Sequence, residues 1–306
     1  MKVGDFPMRD CPGCGARAAK AEMVSDPPAE TMTMADLRPY WSGLFREKPF
    51  FTYYRCEPCG LLYNRAFFDG AQLADLYSSM APNMDLVPGP AIAATQRGYF
   101  DSALAGGAPV EGGFLEIGPD VGCIVDEAAR RGRYDRFWLF EPNRAVHETL
   151  RAAAADRPVT LSADMTDLSA VPDASIGLAV MIHVLDHLLD PRAMLAQIRA
   201  KLRPDGMILI VTHNERSLLR GLMRWRWPPF CLQHPVLYSP ETITRLLTAI
   251  GYVAVHVQRS RNVFPLDFLA RQAMWAAGLK TQSVPLPRWP VGLRLGNMLT
   301  LARAGE

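Results

Sequence analysis

The chain has 306 residues, 49% of them hydrophobic, with 33 basic against 31 acidic side chains and a formal net charge of +2. That length buries a sizeable core and fits one large domain, or one domain with an appendage. A charge so near neutral argues against a general nucleic-acid footprint. No run approaches the roughly 18 apolar residues of a spanning helix, and the opening MKVGDFPMRDCPGCG lacks the apolar centre of a signal peptide. No membrane span and a cytoplasmic location are therefore expected.

Two close cysteine pairs come first in the chain: CPGC, Cys11 and Cys14, and CEPC, Cys56 and Cys59, each followed by a glycine, Gly15 and Gly60. Two residues between cysteines let a tight turn aim both sulfurs at one point, and the glycine admits the positive φ that relieves crowding after it. The expectation is a structural Zn2+ on Cys11, Cys14, Cys56 and Cys59 in a zinc-binding module spanning residues 1–80, with a redox dithiol as the alternative. Four thiolates leave no open coordination position, so such a metal holds the module together rather than performing chemistry. Cys123 and Cys231 read as small packed residues. Residues 81–111 read as a linker or helical lid.

From Gly112 onward short apolar runs alternate with amphipathic stretches. This predicts an α/β domain over residues 112–306 with a doubly wound, mostly parallel sheet. In chain order the expected elements are a strand at Phe114 to Ile117, a helix from about Gly122 to Arg131, a strand at Arg136 to Phe140 and a helix from Asn143 to Ala155. Strands at Val159 to Leu161 and Ile176 to Ile182 follow, then a helix at Pro191 to Leu202, a strand at Met207 to Thr212 and a helix at Pro240 to Ile250. Ser239 as N-cap and Pro240 at the first helical position start that last helix, and Gly251 ends it. Strands at Tyr252 to Gln258 and Asn297 to Ala302, on either side of a helix near Leu266 to Ala277, complete a seven-stranded sheet.

In an open parallel sheet the ligand sits beyond the carboxyl ends of the strands, near the point where strand order reverses. Those ends carry Glu116 to Gly122 in FLEIGPDVG, Glu141 in LFEPN, Asp164 in SADMTDL, His183 and His187 in MIHVLDHLLDP, and His213 in THNE. With LRPDGMILI and HPVLYSPETITRLLTAIGYVAV, this series resembles the class I S-adenosylmethionine-dependent methyltransferases, from about Gly112 to the C-terminus. The resemblance implies their Rossmann-like methyltransferase fold and S-adenosyl-L-methionine as cofactor. It places Glu116, Gly118 and Gly122 in the first cofactor loop, Glu141 on the ribose hydroxyls, Asp164 near the adenine, and His183 among the cofactor-binding residues. The cysteine-bearing front followed by CGLLYNRAFFDGAQLADLY is similar to a bacterial subset that modifies sugars and secondary metabolites.

Asp120 departs from the family pattern, standing where a glycine is usual. A dinucleotide loop needs that glycine so the backbone can approach a pyrophosphate, which an Asp carboxylate would repel, so NAD is disfavoured. S-adenosylmethionine has no phosphate and is net positive. A carboxylate at Asp120 is tolerated or pairs with the ammonium, and Asp accepts left-handed backbone better than most residues.

Methyl transfer from a sulfonium is an in-line displacement, so positioning supplies most of the catalysis. A base is needed where the acceptor loses a proton, and histidine is the usual candidate. His213 and His234, the latter in CLQHPVLYSP, are the preferred bases, with His183 a third candidate beside His187. The segment RSLLRGLMRWRWPPF, Arg216 to Phe230, is expected as a mobile wall over the acceptor, its arginines clamping an anion, or as a helix with its arginines in water. The expected activity is methylation of a small-molecule acceptor, a small or glycosylated metabolite, at oxygen. Nucleic acid is a disfavoured partner and the oligomeric state stays open. Alternatives are an RNA methyltransferase that grips nucleic acid through the zinc module and a non-catalytic scaffold of the same fold.

Overall fold

The stretch Ile176–Ile182 is apolar at every position except Gly177, as a strand covered on both faces requires. In the computed structural model, which describes residues 6–41, 48–78, 89–276, 279 and 284–305, it is the centre of the molecule. Leu178 and Val180 enter one core cluster while Ala179 and Met181 enter the other. Part of the expected linker, residues 81–88, lies outside the described residues.

The front of the chain forms β1 (Ala19–Met23), α1 (Met34–Leu37), β2 (Tyr53–Cys56), β3 (Leu62–Asn64) and α2 (Gly70–Ser78), followed by α3 (Gly89–Ala105). Next come β4 (Glu111–Ile117), α4 (Cys123–Arg131), β5 (Arg133–Phe140), α5 (His147–Ala153), β6 (Val159–Ser162), β7 (Ile176–Ile182), α6 (Pro191–Lys201) and β8 (Leu202–His213). The chain finishes with α7 (Leu218–Met223), β9 (Val236–Leu237), α8 (Pro240–Ile250), β10 (Val253–Arg259), β11 (Asn262–Pro265), α9 (Leu266–Ala276), β12 (Pro290–Leu293) and β13 (Asn297–Arg303).

Seven strands make one sheet in the order β10-β13-β8-β7-β4-β5-β6. Only β13 runs against its neighbours; the pairs β8-β7, β7-β4, β4-β5 and β5-β6 are all parallel. This is the Rossmann-like methyltransferase fold. The chain leaves β4 toward β5 on one side and returns to β7 on the other, so the strand order reverses between β4 and β7. Helix α3 buries Tyr99, Phe100 and Ala103 with Ile124 and Val125 of α4 on one face. Helices α6 and α8 bury Leu195, Ile198, Ile243 and Leu247 on the other. Among the described residues no helix is long and apolar enough to cross a membrane.

Two local differences from expectation have clear causes. The helix expected from Asn143 opens as a 3-10 turn, because the Asn143 side chain accepts from Ala145 N and caps that turn. Strand β8 begins at Leu202, not Met207: Leu202 pairs with Ile176, the register slips, and Met207 then pairs with Leu178.

The front segment is tied into the sheet domain. Strand β9, from the far half of the chain, completes a four-stranded sheet in the order β1-β2-β3-β9, pairing Leu62 with Leu237. Arg9 donates to the Pro235 carbonyl, and Arg55 pairs at 2.7 Å with Glu215, which is fully buried. The expectation of a wall from Arg216 to Phe230 needs correction. Trp227 and Phe230 are buried with Phe50, Tyr53, Leu62 and Leu237, so that end of the segment is core. Arg220 pairs with Glu22, which leaves Trp225, exposed beneath Arg226, as the aromatic of this stretch that faces outward.

Candidate cofactor and acceptor site

Ile117, the last residue of β4, pairs with Phe140 of β5 and Met181 of β7, so three strand tips meet at the switch point. The turn that follows depends on Gly118: its φ is +66°, and a Cβ there would stand 2.6 Å from the Val184 side chain. Asp120 adopts φ 49°, the left-handed region that Asp tolerates better than most, and Gly122 at φ 78° is the N-cap of α4. The turn is pinned by Gly118 N donating to the Phe140 carbonyl at 2.8 Å and by Asp120 N donating to Glu141 Oε2 at 3.1 Å. Asn143 N donates to Glu141 Oε1 at 2.8 Å, while His147 Nε2 meets the Glu141 carbonyl at 2.8 Å. Each Glu141 oxygen keeps a lone pair for a further donor.

Glu116 is buried and its Oε2 has no hydrogen-bond partner. Burial, reinforced by the charges of Glu141 and Asp120, pushes its pKa up to about 8. Burial likewise raises Asp120 and Glu141. Three carboxylates around one turn, each disfavoured as an anion, form a seat for a cation. S-adenosylmethionine fits these donors and acceptors: an ammonium would satisfy the orphaned Glu116 oxygen, a ribose diol the free lone pairs of Glu141, and there is no phosphate to be repelled. Asp164 lies beyond the tip of β6 and is exposed. Its Oδ1 accepts from Thr166 Oγ1 at 2.7 Å and Thr166 N at 2.8 Å, contacts that lower its pKa.

Beside this seat the structure gathers His183, His187, His213 and His234. Ring centroids lie 4.8 Å apart for His183 and His213, 5.0 Å for His213 and His234, and 4.6 Å for His187 and His234. His183 sits at φ 52°, an uncommon value for a residue with a side chain, at the tip of β7 next to Val184, the residue that abuts Gly118. Asp186 lies fully buried among the imidazoles, with His213 Nε2 3.8 Å from its Oδ2. Burial opposes its ionisation, yet the surrounding imidazoles, His213 first, hold it well below the usual carboxylate range. Burial lowers the pKa of His183 and His213, and takes His187 down to about 3. For His234 burial acts downward too, but Cys231, whose Sγ is 3.2 Å from His234 Nδ1, carries it up to about 9. His234 is therefore the imidazole of the cluster that stays protonated at neutral pH. Asn297, at the start of β13, reaches His213 Nδ1 at 2.9 Å and His183 Nε2 at 3.3 Å. Sequence reasoning missed Asp186, Asn297 and the Cys231–His234 contact; only Asp186, inside HVLDH, carried a local signal.

The two cysteine turns have matching geometry. Gly15 N donates to the Cys11 carbonyl at 2.7 Å and Gly60 N to the Cys56 carbonyl at 2.9 Å, with both glycines at positive φ. The four sulfurs lie within 4.8 Å of one another, and the Cys11–Cys59 and Cys14–Cys56 pairs at 3.5 Å. A tetrahedral site with Zn–S bonds of about 2.3 Å puts its sulfurs about 3.8 Å apart, so the cluster fits a metal of that kind.

Fold and rim together define a class, and comparison with known proteins gives it. The sequence profile of a family described as a methyltransferase domain matches residues 96–257. The chain belongs to this family and is an S-adenosylmethionine-dependent methyltransferase. Among solved structures it is similar to a Listeria monocytogenes protein provisionally assigned as an S-adenosylmethionine-dependent methyltransferase, at 12% identity over 69% of this chain and 98% of that one, with a TM-score of 0.50. It is also similar to an S-adenosylmethionine-dependent methyltransferase from Mesorhizobium loti, at 19% identity over 67% and 97% of the two chains, with a TM-score of 0.45. No curated protein matches the sequence.

Proposed function

We propose that this methyltransferase modifies a small or glycosylated metabolite at oxygen, with the imidazole cluster as the acceptor site and a zinc ion on Cys11, Cys14, Cys56 and Cys59 as a structural brace. The observation that carries this reading is the contact between Gly118 of the cofactor loop and Val184, the neighbour of His183, which joins the carboxylate-lined seat directly to the histidines. S-adenosylmethionine supplies an electrophilic methyl group on a positively charged sulfur. Glu116 and Asp120 bind its ammonium, Glu141 its ribose, Asp164 its adenine edge, and Gly118 and Gly122 keep the turn clear. His213 takes the proton of an acceptor hydroxyl and Asp186 stabilises the imidazolium that forms. His234, already protonated, and His183 orient the acceptor. A groove lined by Arg216, Arg259 and Arg294 opens at Asn297 and supports an acceptor bearing an anionic group, such as a nucleotide-sugar or carboxylate.

Mass spectrometry of the purified protein is expected to find carried-over S-adenosylhomocysteine, and calorimetry to find S-adenosylmethionine binding. A labelled-methyl screen of cell extract should then label a small anionic metabolite; label only in protein or RNA would overturn the acceptor class. In the same assay His213→Ala and His234→Ala should keep cofactor affinity and lose turnover. Normal turnover in both would remove the imidazoles from proton transfer.

A further inference from the structure

The ends of β7 and β8 hold more ligating groups than proton transfer requires. One ligand atom each of His183, Asp186 and His213 falls within 4.8 Å of the other two. Two atoms of this set, His183 Nδ1 and Asp186 Oδ1, are buried with no hydrogen-bond partner. The other Asp186 oxygen accepts a long bond, 3.4 Å, from the His213 backbone N. A fully buried carboxyl group with one oxygen unpartnered and the other on a long bond lacks the partners that burial ordinarily requires.

Two imidazoles, each partly exposed, and one buried carboxylate, close together, form a donor set suited to divalent first-row metals with positions left for another ligand. Metal-bound imidazoles present a bare nitrogen inward and hold their outer N–H on a neighbour. Asn297 Oδ1 accepts the outer N–H of His213 Nδ1 at 2.9 Å, while its amide nitrogen, 3.3 Å from His183 Nε2, can only donate there, so Asn297 backs one of the two rings in this way. The register that pairs Asn297 with His213 across β13 and β8 fixes it there, and the left-handed backbone of His183 holds that ring in place. His234 stands outside the set, its Nδ1 3.2 Å from Cys231 Sγ.

We propose that His183, Asp186 and His213 form a second metal site, distinct from the four cysteines, that takes a divalent first-row cation such as Zn2+, Mn2+ or Fe2+. Its role, though not its existence, rests on the reading of this pocket as the acceptor site. A coordinated acceptor hydroxyl releases its proton to solvent, and its oxygen then forms the new bond to the methyl carbon as the C–S bond breaks and the pair stays on sulfur. With the cation present, coordination replaces proton uptake by His213.

The test is metal counting on the full chain, stripped by chelation and reloaded with Co2+ as probe. Two equivalents should bind, one with intense thiolate-to-metal charge-transfer bands and one with only weak visible bands. His213→Gln and Asp186→Asn should each weaken the second equivalent at least tenfold while the charge-transfer bands persist, which certifies that the front of the molecule is folded. Asn297→Ala should weaken it about 10- to 100-fold. A single equivalent in the wild-type chain, a second one unmoved by these substitutions, or thiolate bands on both would overturn the proposal. Calorimetry with S-adenosylmethionine on the same samples keeps the two ideas apart: cofactor binding with one metal sinks only the second site, and two metals without cofactor binding sinks only the functional reading.

Discussion

The cysteine cluster draws its side chains from two local turns, whereas the histidine cluster draws its own from the ends of β7 and β8, the segment before β9 and the start of β13. In the first, four equivalent sulfurs converge and leave no position open. In the second, a carboxylate and an imidazole each keep a buried atom without a partner, and one residue holds a strained backbone. Closure suits bracing; unfinished coordination suits a group that arrives later. The contrast supports the proposal of stability for one cluster and chemistry for the other, and it can be broken from either side.

The largest effect is expected at the cysteines. Cys11 and Cys56 share a core with Leu115, Ile117 and Tyr238, so loosening the turns exposes the flank of the main sheet. Losing this brace should cost about 3–5 kcal/mol, a drop of roughly 10 °C in melting temperature for a chain of this size. An unchanged melting curve after verified metal removal would mean that the turns stand without an ion. Next comes the tie between the two regions. Glu215→Ala removes a fully buried partner of Arg55 and should cost about 3 kcal/mol in denaturant unfolding. A loss under about 1 kcal/mol, the range of exposed pairs, would show that the front segment does not lean on the sheet through this contact.

The rim gives a smaller effect of a different kind. Glu116→Gln should leave the fold intact and weaken S-adenosylmethionine binding about 10- to 100-fold, since it removes a charge-assisted contact worth roughly 1.5–3 kcal/mol. Its pKa of about 8 fixes the sign with pH. In the free protein Glu116 is mostly protonated at neutral pH, and a cation needs it ionised. Affinity should therefore rise as the pH climbs toward about 8 and level off above, with proton release on binding visible as a buffer-dependent heat in calorimetry. Without ligand the sign reverses: a carboxyl held above its unfolded value costs stability as the pH rises toward the folded pKa. A flat pH profile of affinity that Glu116→Gln leaves unchanged would place the ammonium elsewhere.

How far each region could be read from sequence follows from the same contrast. The cysteine turns are encoded within four residues each, so spacing and the following glycine suffice. The strand tips carrying Glu116, Glu141 and His183 were legible because alternating apolar runs locate the strands, and a parallel sheet gathers their carboxyl ends on one rim. Contacts made by register alone were not legible. Asn297 meets His213 only because β13 enters antiparallel beside β8, and no local pattern encodes that pairing. Strand β9 is two residues long, too short for any period, yet it seals the front sheet. Trp227 looked like surface because its arginine neighbours are polar, while its true partners, Phe50 and Tyr53, lie far back in the chain.

The smallest effect should come at Asp164, and its smallness matters. Its carboxylate is exposed and already engaged by Thr166, unlike the buried and under-satisfied Glu116. A hydrogen bond from an adenine amino group to such a carboxylate competes with water and adds about 0.5–1 kcal/mol, so Asp164→Ala should weaken cofactor binding roughly two- to fivefold. Calorimetry on the two rim variants side by side sets buried against exposed carboxylates within one site. Should Asp164→Ala weaken binding as much as Glu116→Gln, burial would not rank the rim, and the case that orphaned buried atoms mark the ligand seats would fail at the cofactor loop and at the histidine cluster alike.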